Sequence, residues 1–425
     1  NTKALDKARE FLKTELERPV EQGLWGFRAA GHYSWERHYV GLLQLAAAGV
    51  LAPDVLTRLN GRLVDLALRN TDLSSVAALN PQSEPDAYTR HPMSALASQF
   101  LLHEYLHHRA ALPPECSAAG RQQLRVNLEV LRRKLLKFAE DHRYRMESSE
   151  GFSCMETLSN LDAMYLHMGL LDRMADAGIF RRQVSYAVAM RDNLNSDPGT
   201  NAYIACRPGS QFTNTVGGAG IVAEAFARRA PETVWLCRHH KLPFTYLGVT
   251  MPPGMLSPPV DAQEAFPAAH TGLELVPHDP WFFERYVSPE THPYMVAGET
   301  VEPYHGLPGN AFSKAVFRDG FEPDDGYLLM QGENVGPSFL GAGPQGNAIC
   351  RYTELGSLLL FQNVQKVTSW ARSVVSISRG QHDPVSAACS VEASFKTPRL
   401  QGMSSALARN GGATWTRHVL RRRRA

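Results

Sequence analysis

The sequence lacks most of the signatures that announce a chemistry. Its six cysteines, at 116, 154, 206, 237, 350 and 389, form no Cys-x-x-Cys pair. A zinc ribbon or a redox dithiol is therefore not expected; an even count permits disulfides without demonstrating them. No apolar run is long enough to span a bilayer. No Gly-x-Ser-x-Gly elbow, P-loop or dinucleotide fingerprint occurs. Gly217-Gly218-Ala219-Gly220 precedes a helical pattern but follows no strand of a βαβ unit. There is no repeat of fixed period and no low-complexity tract. No signal-peptide pattern is present, and because the chain begins at Asn1 a processed or trimmed start is an open expectation. Net charge is only +2, which gives no bias at the whole-chain level toward nucleic acid or an anionic surface.

What is present is an ordinary globular composition, 44% hydrophobic and 20% charged, over 425 residues. Such a chain can bury a large core and hold two or more domains. The patterning changes twice. Up to about residue 230 it is helical. Ala4, Leu5, Ala8, Phe11, Leu12 and Leu16 recur at helical spacing. Further helices are expected at Trp35–Val50, from Pro53, at Pro92–Arg109, Arg121–Tyr144, Thr157–Ala177, Phe180–Leu194 and Val216–Arg229. Amphipathic helices in this order make either a bundle or a ring of helical hairpins. Residues 240–310 then carry twelve prolines, too dense for helix, and read as an extended connector with a short helical turn at Pro280–Tyr286. From Phe312 the pattern is β: Ser313–Arg318, Tyr327–Gln331, Ala348–Thr353, Ser357–Phe361, Ser373–Ser378, Ser386–Ser394 and Thr414–Leu420, mostly separated by glycine or proline. The terminal Arg421–Arg424 run reads as a solvated tail, or as the place where a longer chain was cut.

Three constellations carry chemistry. His103-Glu104-Tyr105-Leu106-His107 matches His-Glu-x-x-His on an expected helix. Positions i and i+4 share a face, so His103 and His107 could bind one zinc while Glu104 polarises a water. Glu156 is the candidate third ligand. The plainer reading is a histidine-rich helix face on a polar cleft or on solvent. Second, Glu150, Glu156, Asp162, Asp172 and Glu224 are helical acids from which a glycosidase pair could be drawn, although each alone reads as a surface acid. Third, Tyr165 and His167 follow Asp162. A tyrosine in a cleft can serve as base and acid in β-elimination on a uronic acid, provided the sugar carboxylate is neutralised so that the C5 proton becomes removable. His103, His107 and His108 are candidates for that task, against packing as the plainer role.

Four words near the C-terminus carry a resemblance. They are Lys314-Ala-Val-Phe-Arg318, Asp325-Gly-Tyr-Leu-Leu-Met-Gln-Gly332, Asn347-Ala-Ile-Cys-Arg-Tyr-Thr-Glu-Leu-Gly356 and Val374-Val-Ser-Ile-Ser-Arg-Gly380. Over residues 312–380 the sequence resembles the heparinase II/III-like polysaccharide lyases. The resemblance implies a multidomain α+β fold: an N-terminal α/α toroid over 1–240, a connector over 241–311 and an antiparallel β-sandwich over 312–425. It implies β-elimination on an acidic polysaccharide or oligosaccharide, and a periplasmic or secreted location. By the same resemblance Tyr165 falls near the catalytic tyrosine, and His107 or His108 near the neutraliser. Asn347, Arg351, Arg372 and Glu156 are the expected substrate contacts, the arginines by pairing with carboxylate or sulfate. No cofactor is expected, although a divalent metal is compatible; nucleic-acid partners are not expected.

The sequence departs from the family where the sheet-side histidines belong. The word His-Gly-His-x-Asp-x-Asn is replaced by Gly341-Ala-Gly-Pro-Gln-Gly-Asn347, so Asn347 alone is kept. The His-Asn pair before the valine-rich strand falls on Ala371-Arg372. Three further readings therefore accompany the lyase: a non-catalytic carbohydrate-binding relative, a glycoside hydrolase on the same scaffold, and a zinc peptidase through His103 and His107.

Overall fold

The computed structural model describes residues 53–69, 78–82, 90–108, 116–140, 168–176, 192–194, 270–277, 309–332, 346–361, 389–410 and 413–422, the short strand segments at 245–246, 249–250, 294–296 and 299–301, and single positions 6, 10, 49, 112 and 165. The chain forms two compact units. One comprises 1–144 with 163–168; the other comprises 145–162 with 169–425.

In the first unit, α1 (Pro53–Arg69), α2 (Arg90–His108) and α3 (Ala118–Glu140) pack on one another. α1 opens with Pro53, where a missing N–H is harmless, and carries Asp54 in its first turn and Arg69 in its last, both favourable to the helix dipole. Its Leu59, Leu63, Val64 and Ala67 are buried. α3 starts where the Ser117 hydroxyl accepts the Gly120 N–H at 3.0 Å. Its inner stripe is Leu124, Leu128, Leu131 and Leu135. α2 differs from the amphipathic pattern of the other two. Ala95 to His103 is buried on every side, and only toward its end do Glu104, His107 and His108 reach solvent. Tyr105 is buried too, its hydroxyl donating to Asn60 Oδ1 of α1 at 2.7 Å.

In the second unit a short helix, α4 (Leu171–Asp176), follows a turn at Met168–Gly169 in which Gly169 has φ +68°. The helix expected over Thr157–Ala177 is thus interrupted, because a left-handed residue ends an α-helix. Two ribbons follow: β1 (Thr245–Tyr246) with β2 (Val249–Thr250), and, later in the chain, β4 (Tyr294–Val296) with β5 (Glu299–Val301). Between them β3 (Gly272–Pro277) joins a five-stranded antiparallel sheet of order β3-β6-β7-β8-β9, formed with β6 (Phe312–Arg318), β7 (Tyr327–Gln331), β8 (Ala348–Glu354) and β9 (Ser357–Phe361). The sheet therefore begins inside the stretch expected to be a connector. Proline density hides β3, whose own Pro277 sits at its end, past a register shift, where a missing N–H is tolerated. The β8–β9 hairpin closes on Leu355 and Gly356, both at positive φ (56° and 68°), the geometry of a type I′ turn. Their N–H groups are held by the carbonyls of Asp324 and Pro323.

A three-stranded antiparallel sheet comprises β10 (Ser390–Lys396), β11 (Leu400–Asn410) and β12 (Ala413–Arg422). The two sheets share one apolar cluster. Phe312, Ala315, Phe317, Leu328 and Met330 from the first meet Met403 and Leu407 from the second, with Cys389 among them. The reverse face of the five-stranded sheet is also buried. It places Lys314, Arg318, Tyr327, Leu329, Arg351 and Thr353 on one side by register. The expected strand at 373–378 and the turn at 280–286 lie outside the described residues.

Candidate functional site

The end of α2 gathers the polar groups of the first unit. Spacing puts Gln99 and His103 on one face and Glu104 and His108 on another. His103 is completely buried. Its Nδ1 lies 2.8 Å from the Gln99 carbonyl oxygen and its Nε2 3.1 Å from the Asn127 amide nitrogen on α3. A carbonyl can only accept and an amide N–H can only donate, so the ring is neutral with its proton on Nδ1. Gln123 Nε2 donates to Asn127 Oδ1 at 2.8 Å, which turns the Asn127 amide toward the ring. Burial lowers the pKa of His103 to about 4, and the Gln99 bond opposes only part of that shift. Both ring nitrogens are thus occupied by protein, and binding zinc through Nε2 would require Asn127 to let go. Among the described residues no group of three His, Cys, Asp or Glu side chains converges as a metal site.

One turn later the chemistry is open to solvent. Arg132 of α3 donates from Nη2 to Glu104, at 2.9 Å to one carboxylate oxygen and 3.3 Å to the other. The same Nη2 lies 3.2 Å from His108 Nε2, and Glu104 Oε1 lies 3.4 Å from that nitrogen. Nε2 serves one of these contacts at a time: without a proton it accepts from Arg132, and carrying one it donates to Glu104. His107 packs edge to face on His108, with ring centroids 4.5 Å apart. Its pKa is lowered, first by desolvation and then by the electrostatic influence of His108, Arg125 and Arg132, with Glu104 opposing. The result is an exposed, neutral imidazole beside guanidinium groups. It can take a proton while the arginines hold an anion.

The remaining expected residues are placed differently. Tyr165 is fully buried in the first unit. Asn347 is fully buried at the entry to β8, with φ +65°. Its amide donates to the Ser405 and Trp415 carbonyls at 3.3 and 3.1 Å, and the Ser405 hydroxyl donates back to its Oδ1. Asn347 therefore ties the five-stranded sheet to β11 and β12. Arg351, also buried, pairs through Nε with the buried Asp192. Next to that pair, Arg318 donates to Asn193 Oδ1 at 2.5 Å and stacks between the Phe321 and Tyr327 rings, 4.3 and 4.6 Å from their centroids. Burial lowers the Arg318 pKa and raises that of Tyr327. Glu156 and Arg372, like His167, Glu150, Asp162 and Glu224, lie outside the described residues; Asp172 is exposed on α4.

Sequence reasoning missed Arg132, Asn127 and Asp192. The first two stand on the basic helix, but nothing in their spacing singles them out, and Asp192 carries no local signal at all. No protein-family model, curated protein or solved structure matches this chain. Among the described residues no helix is long and apolar enough to cross a membrane.

Proposed function

We propose that this chain is a carbohydrate-active protein that performs β-elimination on a uronic-acid polysaccharide, an α/α toroid followed by an antiparallel β-sandwich. The fold reading is supported by three mutually packed helices and by two antiparallel sheets around one core. The observation that carries the activity is the exposed neutral His107 beside His108, Arg132 and Arg125. In this reading Arg132 and His108 bind the sugar carboxylate and stabilise the charge that develops as the C5 proton leaves. His107 takes that proton. The electron pair forms the C4–C5 double bond as the C4–O bond breaks, and the leaving oxygen takes back the proton from His107, which returns the ring to its neutral form. The base role passes to His107 from Tyr165 because Tyr165 is wholly buried.

The test is incubation with a panel of uronic-acid polysaccharides, read by the ultraviolet absorbance of the unsaturated product. His107→Ala is expected to lower kcat by at least about 100-fold, the usual weight of a general base. Tyr165→Phe is expected to leave turnover unchanged; loss of activity there returns the role to Tyr165. Reducing ends without that absorbance indicate hydrolysis and defeat the lyase reading.

A non-catalytic carbohydrate-binding protein is the second reading. It is favoured by one specific observation: Asn347 and Arg351, the substrate contacts expected on the sheet side, are both engaged inside the fold. Binding of the panel with no product of either kind selects it.

A further inference from the structure

The net charge of +2 conceals a sharp division. Residues 390–425 contain eight Lys or Arg and one acid, Glu392, a net of +7, which leaves 36 basic against 41 acidic residues in the rest of the chain. The three-stranded sheet is built from this basic segment. Its inner face packs Met403 and Val419 on the core. Its outer face is set by register: Phe395 pairs with Gly402, and Gly402 pairs with Leu420, so the three form one row across the sheet. Neighbouring strands are about 4.8 Å apart, so the row spans about 10 Å.

The row is shaped by its glycine. A Cβ on Gly402 would stand 2.6 Å from the Phe395 ring and 3.1 Å from the Val419 carbonyl. Only glycine lets the ring settle against the sheet, and in that position Phe395 keeps 43% of its surface exposed and Leu420 68%. Arg421 of the basic segment is turned inward onto Asp319 and Arg417 lies over Trp415, so the charge that bears on this row is that of the exposed Arg399 and Arg422, and exposed apolar surface beside such cations is a place where a ligand can dock. Polar and cationic groups stand around the row. His418 is exposed one row along, opposite Ser404. Arg422 is exposed opposite Leu400, and Arg399 is exposed in the turn closed by the Thr397 N–H on the Leu400 carbonyl at 2.8 Å.

We propose that the outer face of the three-stranded sheet, Phe395 over Gly402 flanked by Leu420, His418, Arg399 and Arg422, is a binding surface for an anionic polysaccharide. The ligand class rests on the carbohydrate reading above; the surface itself rests on charge and on the stacked ring. The electron-rich face of Phe395 meets the C–H face of a pyranose, which carries partial positive charge. Arg399 and Arg422 pair with carboxylate or sulfate groups on the same strand of sugar. Single-stranded nucleic acid fits less well, because it stacks successive bases on several aromatics, and Phe395 is the sole exposed Phe, Tyr or Trp among the described residues of this sheet. The surface holds a polymer and does no chemistry.

The test is affinity measurement of the full chain on immobilised polygalacturonate and heparin, with dextran and an oligo-dT strand as controls, across a salt series. Wild type is expected to bind both acidic polysaccharides, to ignore dextran and to elute as salt rises. Arg399→Gln with Arg422→Gln is expected to weaken binding about tenfold or more and to flatten its salt dependence. Phe395→Ala is expected to weaken it about fivefold or more, and Phe395→Tyr to restore it, with melting temperatures matched to show that the sheet is intact. Binding unchanged in these variants, or absent in wild type, overturns the proposal. Oligo-dT bound as tightly, and lost in Phe395→Ala, replaces the polysaccharide with nucleic acid. Turnover of a short soluble oligosaccharide is read separately. Phe395-dependent binding without unsaturated product keeps the surface and defeats the lyase; product formed with Phe395-independent binding does the reverse.

Discussion

His103 shows how one side chain can match a motif and serve another purpose. In sequence it is the first histidine of His-Glu-x-x-His. In the structure it is a neutral, buried strut between α2 and α3, held by the Gln99 carbonyl and the Asn127 amide. The consequence is a pH dependence. Its pKa is lowered from 6.5 to about 4 on folding, so the unfolded chain takes up the proton first. The stability this residue contributes is full above pH 6.5, falls as the pH drops toward 4, and is constant below. The full change is about 3 kcal/mol. Thermal midpoints of wild type and His103→Gln between pH 7 and pH 4 should converge as the pH falls, although the variant starts lower. Parallel curves would sink the assignment. His103 and His107 were both legible as candidates from the His-Glu-x-x-His spacing. The strut role of His103 was not legible, because Asn127 and Gln123, which fix it, lie twenty or more residues away on another helix.

At the scale of the element, Gly332 closes β7 and joins three segments. Its N–H donates to the Ser313 carbonyl and its own carbonyl accepts the Cys389 N–H, each at 2.8 Å. A Cβ there would stand 2.0 Å from the Phe312 backbone oxygen. Backbone cannot swing aside as a side chain can, so Gly332→Ala should destabilise by at least about 1–3 kcal/mol. Gly309, where an added Cβ meets nothing within 4 Å, is the control, and Gly309→Ala should stay within about 0.5 kcal/mol. Urea midpoints of the two variants decide it; equal shifts count against the packing argument. The strands β6 to β9 were readable because aromatic and branched residues alternate between glycine-marked turns. β11 was not, because Leu400–Asn410 is rich in Ser, Ala and Gly and takes its strand form from pairing with β10 and β12 on either side. β3 was hidden by the prolines around it. Gly169 ended a helix whose apolar spacing runs straight through it, since spacing reports a face and says little about a left-handed residue.

At the scale of the whole molecule, distant segments are joined by charge. The 192–194 stretch meets the five-stranded sheet through Asp192 on Arg351, and through Asn193 on Arg318 and on the Gly320 and Asp325 carbonyls at 3.0 and 3.1 Å. More than a hundred residues separate these partners, so no local pattern announces them. The Asp192–Arg351 pair is nearly devoid of solvent, with 1% and 3% of the side chains exposed. Two ions taken out of water gain little net stability over apolar residues of the same shape, yet removing one of them leaves the other without its countercharge. Asp192→Ala should therefore cost about 3–5 kcal/mol, and Asp192→Leu with Arg351→Met together should cost much less than the sum of the single changes. The double-mutant cycle, followed by urea unfolding at constant m-value, measures the coupling directly. A strictly additive cycle would mean that the pair does not hold the 192–194 stretch to the sheet. A strong coupling would assign Arg351 to the architecture of the second unit, where its charge serves to hold the 192–194 stretch against β8.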